Sequence, residues 1–294
     1  MHYTLRQIEV FLATAHYENV TQAASSLAMS QSAASSALQD LEQRFDIQLF
    51  DRAGKRVQLS ELGKALRPRA EALLAQAREF EHSLTQRTDV AELKVGATLT
   101  IGNYLAVRIM ANFMSLHPDA RVSLTVENTA AIASRVRNFE LDIGLIEGEL
   151  QDPVLEVIPW RDDELALFCA PDHQLAKQRT VSDADLLAAR WVVREAGSGT
   201  RQAFDRAMHG LLPDLDLRLN LQHTEAIKRA VEARLGIGCL SAIALRDAFA
   251  RGSLIRLEAP QRDWTRKFYF ILHRQKFRSA GIQSWLALCQ AQDR

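Results

Sequence analysis

Seven consecutive residues, Glu195-Ala196-Gly197-Ser198-Gly199-Thr200-Arg201, gather groups able to meet a small guest. Ser198 and Thr200 offer hydroxyls, and Gly197 and Gly199 let backbone N–H groups approach closely. The segment falls between a strand end and a helix start, where unpaired N–H groups favour negative charge. Taken alone it reads equally as a capped turn that holds nothing. A second segment, Thr98-Leu99-Thr100-Ile101-Gly102-Asn103-Tyr104, has the same strand-to-helix placement upstream. Two such helix starts facing each other across a cleft would form an anion cage. Asn128, Glu147 and Glu195 are counted with Thr98, Leu99, Thr100, Gly197, Ser198, Gly199 and Thr200 as ligand-binding candidates. A carboxylate repels an anion unless one of them carries a proton, so the expected guest is protonated or monoanionic.

Ser198 does not read as a nucleophile. An elbow needs glycine two residues to either side, and Ala196 and Thr200 stand there instead. No histidine lies close in sequence to act as its base. The eight histidines are scattered without metal-ligand spacing. Cys169, Cys239 and Cys289 form no CxxC and leave an odd thiol, which argues against a disulfide framework and a structural zinc. They read as small packed side chains. No catalytic residue, metal or cofactor is expected.

Nearer the amino terminus the useful groups change. Leu5, Ile8, Phe11, Leu12 and Ala15 give one helical stripe. Thr21 is expected to cap a second helix, Gln22 to Ala28, and Ser30 a third that carries Ala34, Leu38, Leu41 and Phe45 inward. The short Ala28-Met29 link makes the two helices cross steeply, as in a helix-turn-helix. The third helix exposes Gln31, Ser32, Ser35, Ser36 and Gln39, whose hydroxyls and carboxamides suit base edges in a major groove. By itself that face is only a solvated polar surface. A turn at Ala53-Gly54-Lys55-Arg56 between two short extended runs then reads as a wing. From Arg52 to Arg69 six basic residues meet one acidic residue, a local net of +5. Directly after a helix-turn-helix such a cluster reads as a phosphate clamp. The DNA-contact candidates are Thr21, Gln22, Ser30, Gln31, Ser32, Ser35, Ser36, Gln39, Arg52, Lys55 and Arg56.

Other elements must position these two sets. From Ser60 to about Arg87 a long helix repeats Leu62, Leu66, Ala70, Leu73, Ala77, Phe80 and Leu84 close to a heptad. Either a second copy of the chain covers that seam or the chain's own domains do; the homodimer is favoured. Pro68 should remove one hydrogen bond and bend the helix. A polar hinge, Thr85 to Asp89, follows. Beyond it strands and helices alternate: strands at Leu93–Ala97, Val122–Val126, Leu141–Ile146, Leu165–Cys169, Trp191–Arg194, Leu217–Leu221 and Gly238–Ser241. Helices are expected from Asn103 to Leu116, Ala130 to Asn138, Thr200 to Met208 and Glu225 to Ala233. This series implies helices on both faces of largely parallel sheets. A break near Pro153 to Asp163 suggests two lobes, with the final strand, Lys267 to His273, and helix, Ser279 to Cys289, returning to the first.

The 294 residues suit two domains and a connector. Lys and Arg total 36 against 36 Asp and Glu, so any charged partner must be met locally. The longest stretch free of them, Asn19 to Gln39, is too polar to span a bilayer. Arg6 and Glu9 interrupt the first apolar stretch, so no signal-peptide core is expected and the cytoplasm is the expected location.

Leu5-Arg6-Gln7-Ile8-Glu9-Val10-Phe11, Thr21-Gln22-Ala23-Ala24 with Ser30-Gln31-Ser32-Ala33 and Leu41-Glu42, and Leu49-Phe50-Asp51-Arg52 resemble the opening of LysR-type transcriptional regulators. Leu141-Asp142-Ile143-Gly144 and Leu235-Gly236-Ile237-Gly238 resemble that family's effector-domain landmarks. The resemblance implies an α+α/β fold. Its parts are a winged helix-turn-helix (1–59), a dimerising linker helix and hinge (60–88) and a two-lobed periplasmic-binding-protein-like α/β effector domain (89–294). Lobe I would take about 91–162 and 266–294, and lobe II about 163–265. It further implies a homotetramer on promoter DNA answering a small coinducer. Ala34 and Ala37 stand where many relatives carry larger residues. With Ile146-Glu147-Gly148, the two candidate segments look like the sulfite-responsive branch controlling sulfur-related genes. That makes the guest a small oxyanion, hydrogen sulfite before sulfate. The alternatives are the same regulator answering a small carboxylate, or a solute-binding protein without DNA function.

Overall fold

The computed structural model describes residues 2–53, 56–84 and 92–291. Contacts gather the chain into two compact units, residues 1–89 with 274–280 and residues 90–273 with 281–294. The first contains α1 (Leu5–Tyr17), α2 (Val20–Ser26), α3 (Gln31–Phe45), an antiparallel hairpin of β1 (Phe50–Ala53) and β2 (Arg56–Leu59), and α4 (Glu61–Leu84). Asn19, not Thr21, caps α2: its side chain accepts from the backbone N–H groups of Thr21 and Gln22. Asn19 is the extended residue before the first turn, so Thr21 lies inside the helix. Ser30 caps α3 as its position suggests, accepting from Ala33 N at 3.2 Å. Between the helices Ala28 takes a left-handed φ of 53°. Ala23, Ala24 and Ala34 are all but fully buried at the crossing. A larger residue at 34 would hold the two backbones apart.

Helix α4 runs through Pro68 without interruption. Its seam divides. Ala70 and Leu74 are buried in the core of the first unit with Leu66 and Leu73 beside them. Phe80 and Leu84 remain 66% and 68% exposed. Own-domain packing therefore absorbs the middle of the seam and leaves its far end bare. The hinge at Thr85–Asp89 lies outside the described residues.

The second unit begins with β3 (Glu92–Ala97), α5 (Leu99–Ile101), a π-helical turn (Gly102–Ala106) and α6 (Val107–Leu116). Then come β4 (Arg121–Val126), α7 (Thr129–Arg137), β5 (Ile143–Glu147), β6 (Leu155–Cys169), α8 (Asp183–Ala188), β7 (Arg190–Arg194) and α9 (Gly199–Ala207). It ends with β8 (Asp216–Leu221), α10 (Thr224–Glu232), β9 (Ile237–Ser241), α11 (Ala242–Arg251), β10 (Ile255–Leu257), β11 (Thr265–His273) and α12 (Ala280–Ala291). The strand order is β4-β3-β5-β11-β6-β9-β7-β8, with β10 also on β6. Strand β3 is parallel to β4 and β5, and β7 to β8 and β9. These two parallel groups are the lobes, and β6 and β11 run antiparallel through both.

The expected break at Pro153–Asp163 is therefore largely strand. Leu155–Cys169 is one 15-residue crossing element, and Pro159 marks an irregularity within it rather than its end. Opposite Phe268 and Tyr269 the register slips by one residue, leaving Trp160 as the extra one. A bulge tolerates a proline that offers no N–H. Trp160 stacks on Phe270 at 5.0 Å. Helical structure after β3 also starts at Leu99, four residues earlier than the pattern suggests. Lobe I packs around Ile109, Phe113, Phe268, Phe270 and Trp285, and lobe II around Leu167, Trp191, Val193 and Phe204.

Ala34→Leu should destabilise the first unit by about 1–3 kcal/mol through overpacking. All four tryptophans lie beyond residue 159, so the loss should appear in far-ultraviolet circular dichroism at lower denaturant. Tryptophan fluorescence should unfold at an unchanged midpoint.

Candidate functional site

Strand β5 is buried along its whole length and ends at Glu147, where Gly148 turns the chain with a φ of 80°. The Glu147 carboxylate thus sits at the carboxyl edge of the sheet, where open α/β folds place their sites. Lobe I gives it two donors: Thr98 Oγ1 at 3.0 Å and Thr100 N at 2.8 Å, both to Oε1. Lobe II gives Thr200 Oγ1, at 2.8 Å from Oε2. The crossing strand β11 adds Arg266, whose Nη1 donates to Glu147 Oε2 at 2.8 Å and to Thr200 Oγ1 at 2.9 Å. Arg266 Nε donates to Asp163 Oδ2 at 2.6 Å, and Ser241 Oγ to Asp163 Oδ1 at 2.8 Å. The Arg266 and Glu147 side chains are each 1% exposed. Arg266 Nη2 is buried without a partner.

Burial alone would push the Glu147 carboxyl up. The charge of Arg266, the hydrogen bonds of Thr100 and Thr200 and the charge of Arg194 overcome it and hold the group at about 2. Glu147 is therefore ionised. The lobes touch around it: Gly199 lies so near the Glu147 carbonyl that a Cβ would stand 1.8 Å from the oxygen. Ala130 N donates to Gly197 O at 3.3 Å, and Gln202 Nε2 to Glu149 O at 3.0 Å.

The sequence candidates thus divide by role. Thr98, Thr100 and Thr200 already spend donors on Glu147. Thr98 and Ser198 are the N-cap residues of α5 and α9, yet neither side chain caps its helix. Ser198 is 4% exposed and Leu99 is buried. Glu195 is gripped by Arg194, Nε to Oε2 at 2.8 Å and Nη2 to Oε1 at 2.9 Å. Asn128 caps α7 through Oδ1 and reaches Glu195 Oε1 from Nδ2 at 3.4 Å. Each glutamate consequently has its own arginine, which eases the repulsion expected of an incoming anion. A groove of about 1080 Å³ opens beside the crossing strands, with Asp163 and Arg266 of this network in its lining, together with Arg206 and Glu149. Those two are paired with each other at 3.1 Å, as are Lys267 and Asp162 at 2.9 Å.

On the first unit, Thr21, Gln22, Ser30, Gln31, Ser32, Ser36 and Gln39 are exposed, and Ser35 is half-buried. Glu42 Oε1 accepts from Leu49 N at 2.6 Å and Phe50 N at 3.3 Å, tying α3 to the start of the hairpin. Lys55 lies outside the described residues, as do the side chains of Arg52 and Arg56.

Comparison with known proteins decides the family. The family model described as "Bacterial regulatory helix-turn-helix protein, lysR family" matches residues 5–64, and that described as "LysR substrate binding domain" matches residues 86–294. The chain is a LysR-type transcriptional regulator. It is 40% identical over 289 residues to the uncharacterized HTH-type transcriptional regulator YeiE of Escherichia coli K12, covering 98% of each chain. It is 32% identical over 246 residues to the HTH-type transcriptional regulator CysL of Bacillus subtilis, covering 81% of each. A solved full-length OxyR variant from Pseudomonas aeruginosa shares the fold, with a TM-score of 0.74 at 21% identity over 99% of this chain and 95% of that one. The families and relatives are regulators, not enzymes. The effector unit accordingly has a periplasmic-binding-protein-like fold, and no helix among the described residues is long and apolar enough to cross a membrane.

Sequence reasoning about the regulator missed Arg266, Asp163, Ser241 and Arg194. Arg266 and Asp163 sit in charge-rich runs that look like solvated turns. One signal was present: Arg266, Phe268 and Phe270 alternate along a strand, which turns all three to one buried face.

Glu147→Gln leaves Arg266 without half of its countercharge and should cost about 3–5 kcal/mol at neutral pH. The depressed carboxyl contributes stability present above its ordinary value of 4.5 and lost as pH falls through about 2. The gap between wild-type and variant melting temperatures should therefore narrow across that window.

Proposed function

We propose that this regulator binds a small oxyanion in the interlobe cleft, hydrogen sulfite first, and controls sulfur-related genes in response. The supporting observation is the carboxylate of Glu147, held where two helix starts and Arg266 converge. Groups that hold a carboxylate in this way can also hold the charge of a small oxyanion. The guest settles beside Glu147, among Ser198, Gly197, Gly199, Leu99 and Asn128. Glu147 is ionised, so it brings no proton. The guest supplies it, giving its O–H to a glutamate oxygen while its anionic oxygens take hydroxyl and backbone N–H groups. Hydrogen sulfite meets that requirement and sulfate does not. The resemblance of the cleft segments to the sulfite-responsive branch favours the same guest.

DNA is read by α3, with Gln31, Ser32, Ser35, Ser36 and Gln39 on base edges. Thr21, Gln22, Ser30 and the wing residues Arg52, Lys55 and Arg56 hold phosphates. The bare end of α4, Phe80 and Leu84, pairs with a second copy, and two such dimers make the tetramer. The assembly works in the cytoplasm.

Sulfite at a hundredfold excess over its Kd should raise the melting temperature by roughly 5–10 °C. Its affinity should fall as pH rises and hydrogen sulfite loses its proton, since Glu147 stays charged throughout. A response to sulfate as large as to sulfite, or none to either, would overturn the assignment. Gln31→Ala should remove about 1–3 kcal/mol of preference for the operator over random duplex. The salt dependence of nonspecific binding should stay as it was, and gel-shift titrations at several salt concentrations check both.

A further inference from the structure

The mouth of the cleft carries a second group of side chains that bridges the lobes and does not touch Glu147. After α5 the chain makes the π-helical turn Gly102–Ala106 before α6 begins. Single π turns inside helices are retained mostly where function needs them. Gly102 lets this turn lie close on β4, because a Cβ there would stand 2.7 Å from Val126 Cγ2. The turn carries Tyr104, whose Oη donates to Glu225 Oε1 on α10 of lobe II at 3.1 Å. Glu225 is ion-paired with Lys228, one helical turn further on. Lys228 Nζ also donates to Ala244 O at 3.3 Å and to Tyr104 Oη at 3.4 Å, and it lies 5.9 Å from the centre of the Tyr104 ring.

Burial of the lysine separates this group from an ordinary surface pair, although the Glu225 side chain is 61% exposed. Lys228 is only 8% exposed. Burial opposes its charge, but Glu225 and Tyr104 hold its pKa above the usual lysine range. A solvated Glu–Lys pair on one helix contributes a few tenths of a kcal/mol. Here lobe I lays an aromatic ring over Lys228 and gives a hydroxyl to Glu225, so these two contacts exist only while the lobes are together. An interaction made in one of two states and absent from the other shifts the equilibrium between them.

We propose that Tyr104, Glu225 and Lys228 form a clasp across the cleft mouth that sets the open–closed balance of the lobes and, through it, affinity for the guest. They are positioning residues: the clasp acts by holding the lobes together, not by touching the guest. The inference rests on the effector reading of the cleft, yet its first readout needs no effector. Spin labels at Asp119→Cys in lobe I and Asp216→Cys in lobe II, in full-length protein diluted with unlabelled copies, report the interlobe distance; the three native cysteines are buried. Without ligand, Tyr104→Phe and Lys228→Met should each lengthen and broaden the distance distribution relative to the unmutated clasp, with helix content unchanged. Glu225→Gln, the mildest change, should do so less. Distributions that match the unmutated clasp in both Tyr104→Phe and Lys228→Met would overturn the proposal. With sulfite, Tyr104→Phe should bind about tenfold more weakly, the closed population having fallen by that factor. If sulfite binds neither form, the proposed guest fails, and the ligand-free distances still decide the clasp.

Discussion

Two charges, Glu147 and Arg266, face each other with almost no water around them, and the effector unit is organised to make that tolerable. Taking an ion pair out of water costs several kcal/mol per charge unless its remaining hydrogen-bonding capacity is met. Here most of it is met, from three places at once, with Arg266 Nη2 left over. Lobe I contributes the carboxylate with Thr98 and Thr100, the crossing strands contribute Arg266 and Asp163, and lobe II contributes Thr200 and Ser241. No lobe could bury its share alone. The pair therefore works as a keystone: the arrangement that satisfies it is also the one that brings the two helix starts face to face.

The same economy explains why the hydroxyls at these starts do no capping. An N-cap side chain usually takes a first-turn N–H and stabilises its helix by about 1 kcal/mol. Thr98 turns instead to Glu147, and Ser198 caps nothing. Away from the site Ser182 caps in the ordinary way, while Asn128 and Ser241 cap and also reach into it. Local capping rules give way at these two helix starts, as they do where a side chain serves a longer-range network instead of its own helix.

Much of this was legible from residue order. The helix-turn-helix follows from apolar spacing and from Ser30, and the parallel lobes follow from alternating strand and helix patterns. The two candidate segments do meet, at Glu147. What escaped had a physical reason in each case. Asn19 and Thr21 are both good caps, and only backbone geometry chooses between them. Pro159 and the charges from Arg161 to Glu164 disguised a crossing strand, because a bulge absorbs the proline and the ion pairs absorb the charges. That Glu147 would itself occupy the cage cannot be read from spacing, since Asp163, Thr200 and Arg266 reach it from distant parts of the chain. Tyr104 lay in a segment already singled out, but its partners on α10 did not.

The return of β11 and α12 to lobe I also sets an order of assembly. Lobe II has all its strands once residue 265 has been made. Lobe I, although begun at Glu92, still lacks Phe268, Phe270, Ile282 and Trp285 from its interior, and β5 still has one bare edge. On the ribosome the later lobe in sequence is thus the first able to finish folding. The earlier one waits, with its apolar side chains uncovered, until Ile282 and Trp285 have been made, and that interval is when a chaperone would have something to hold.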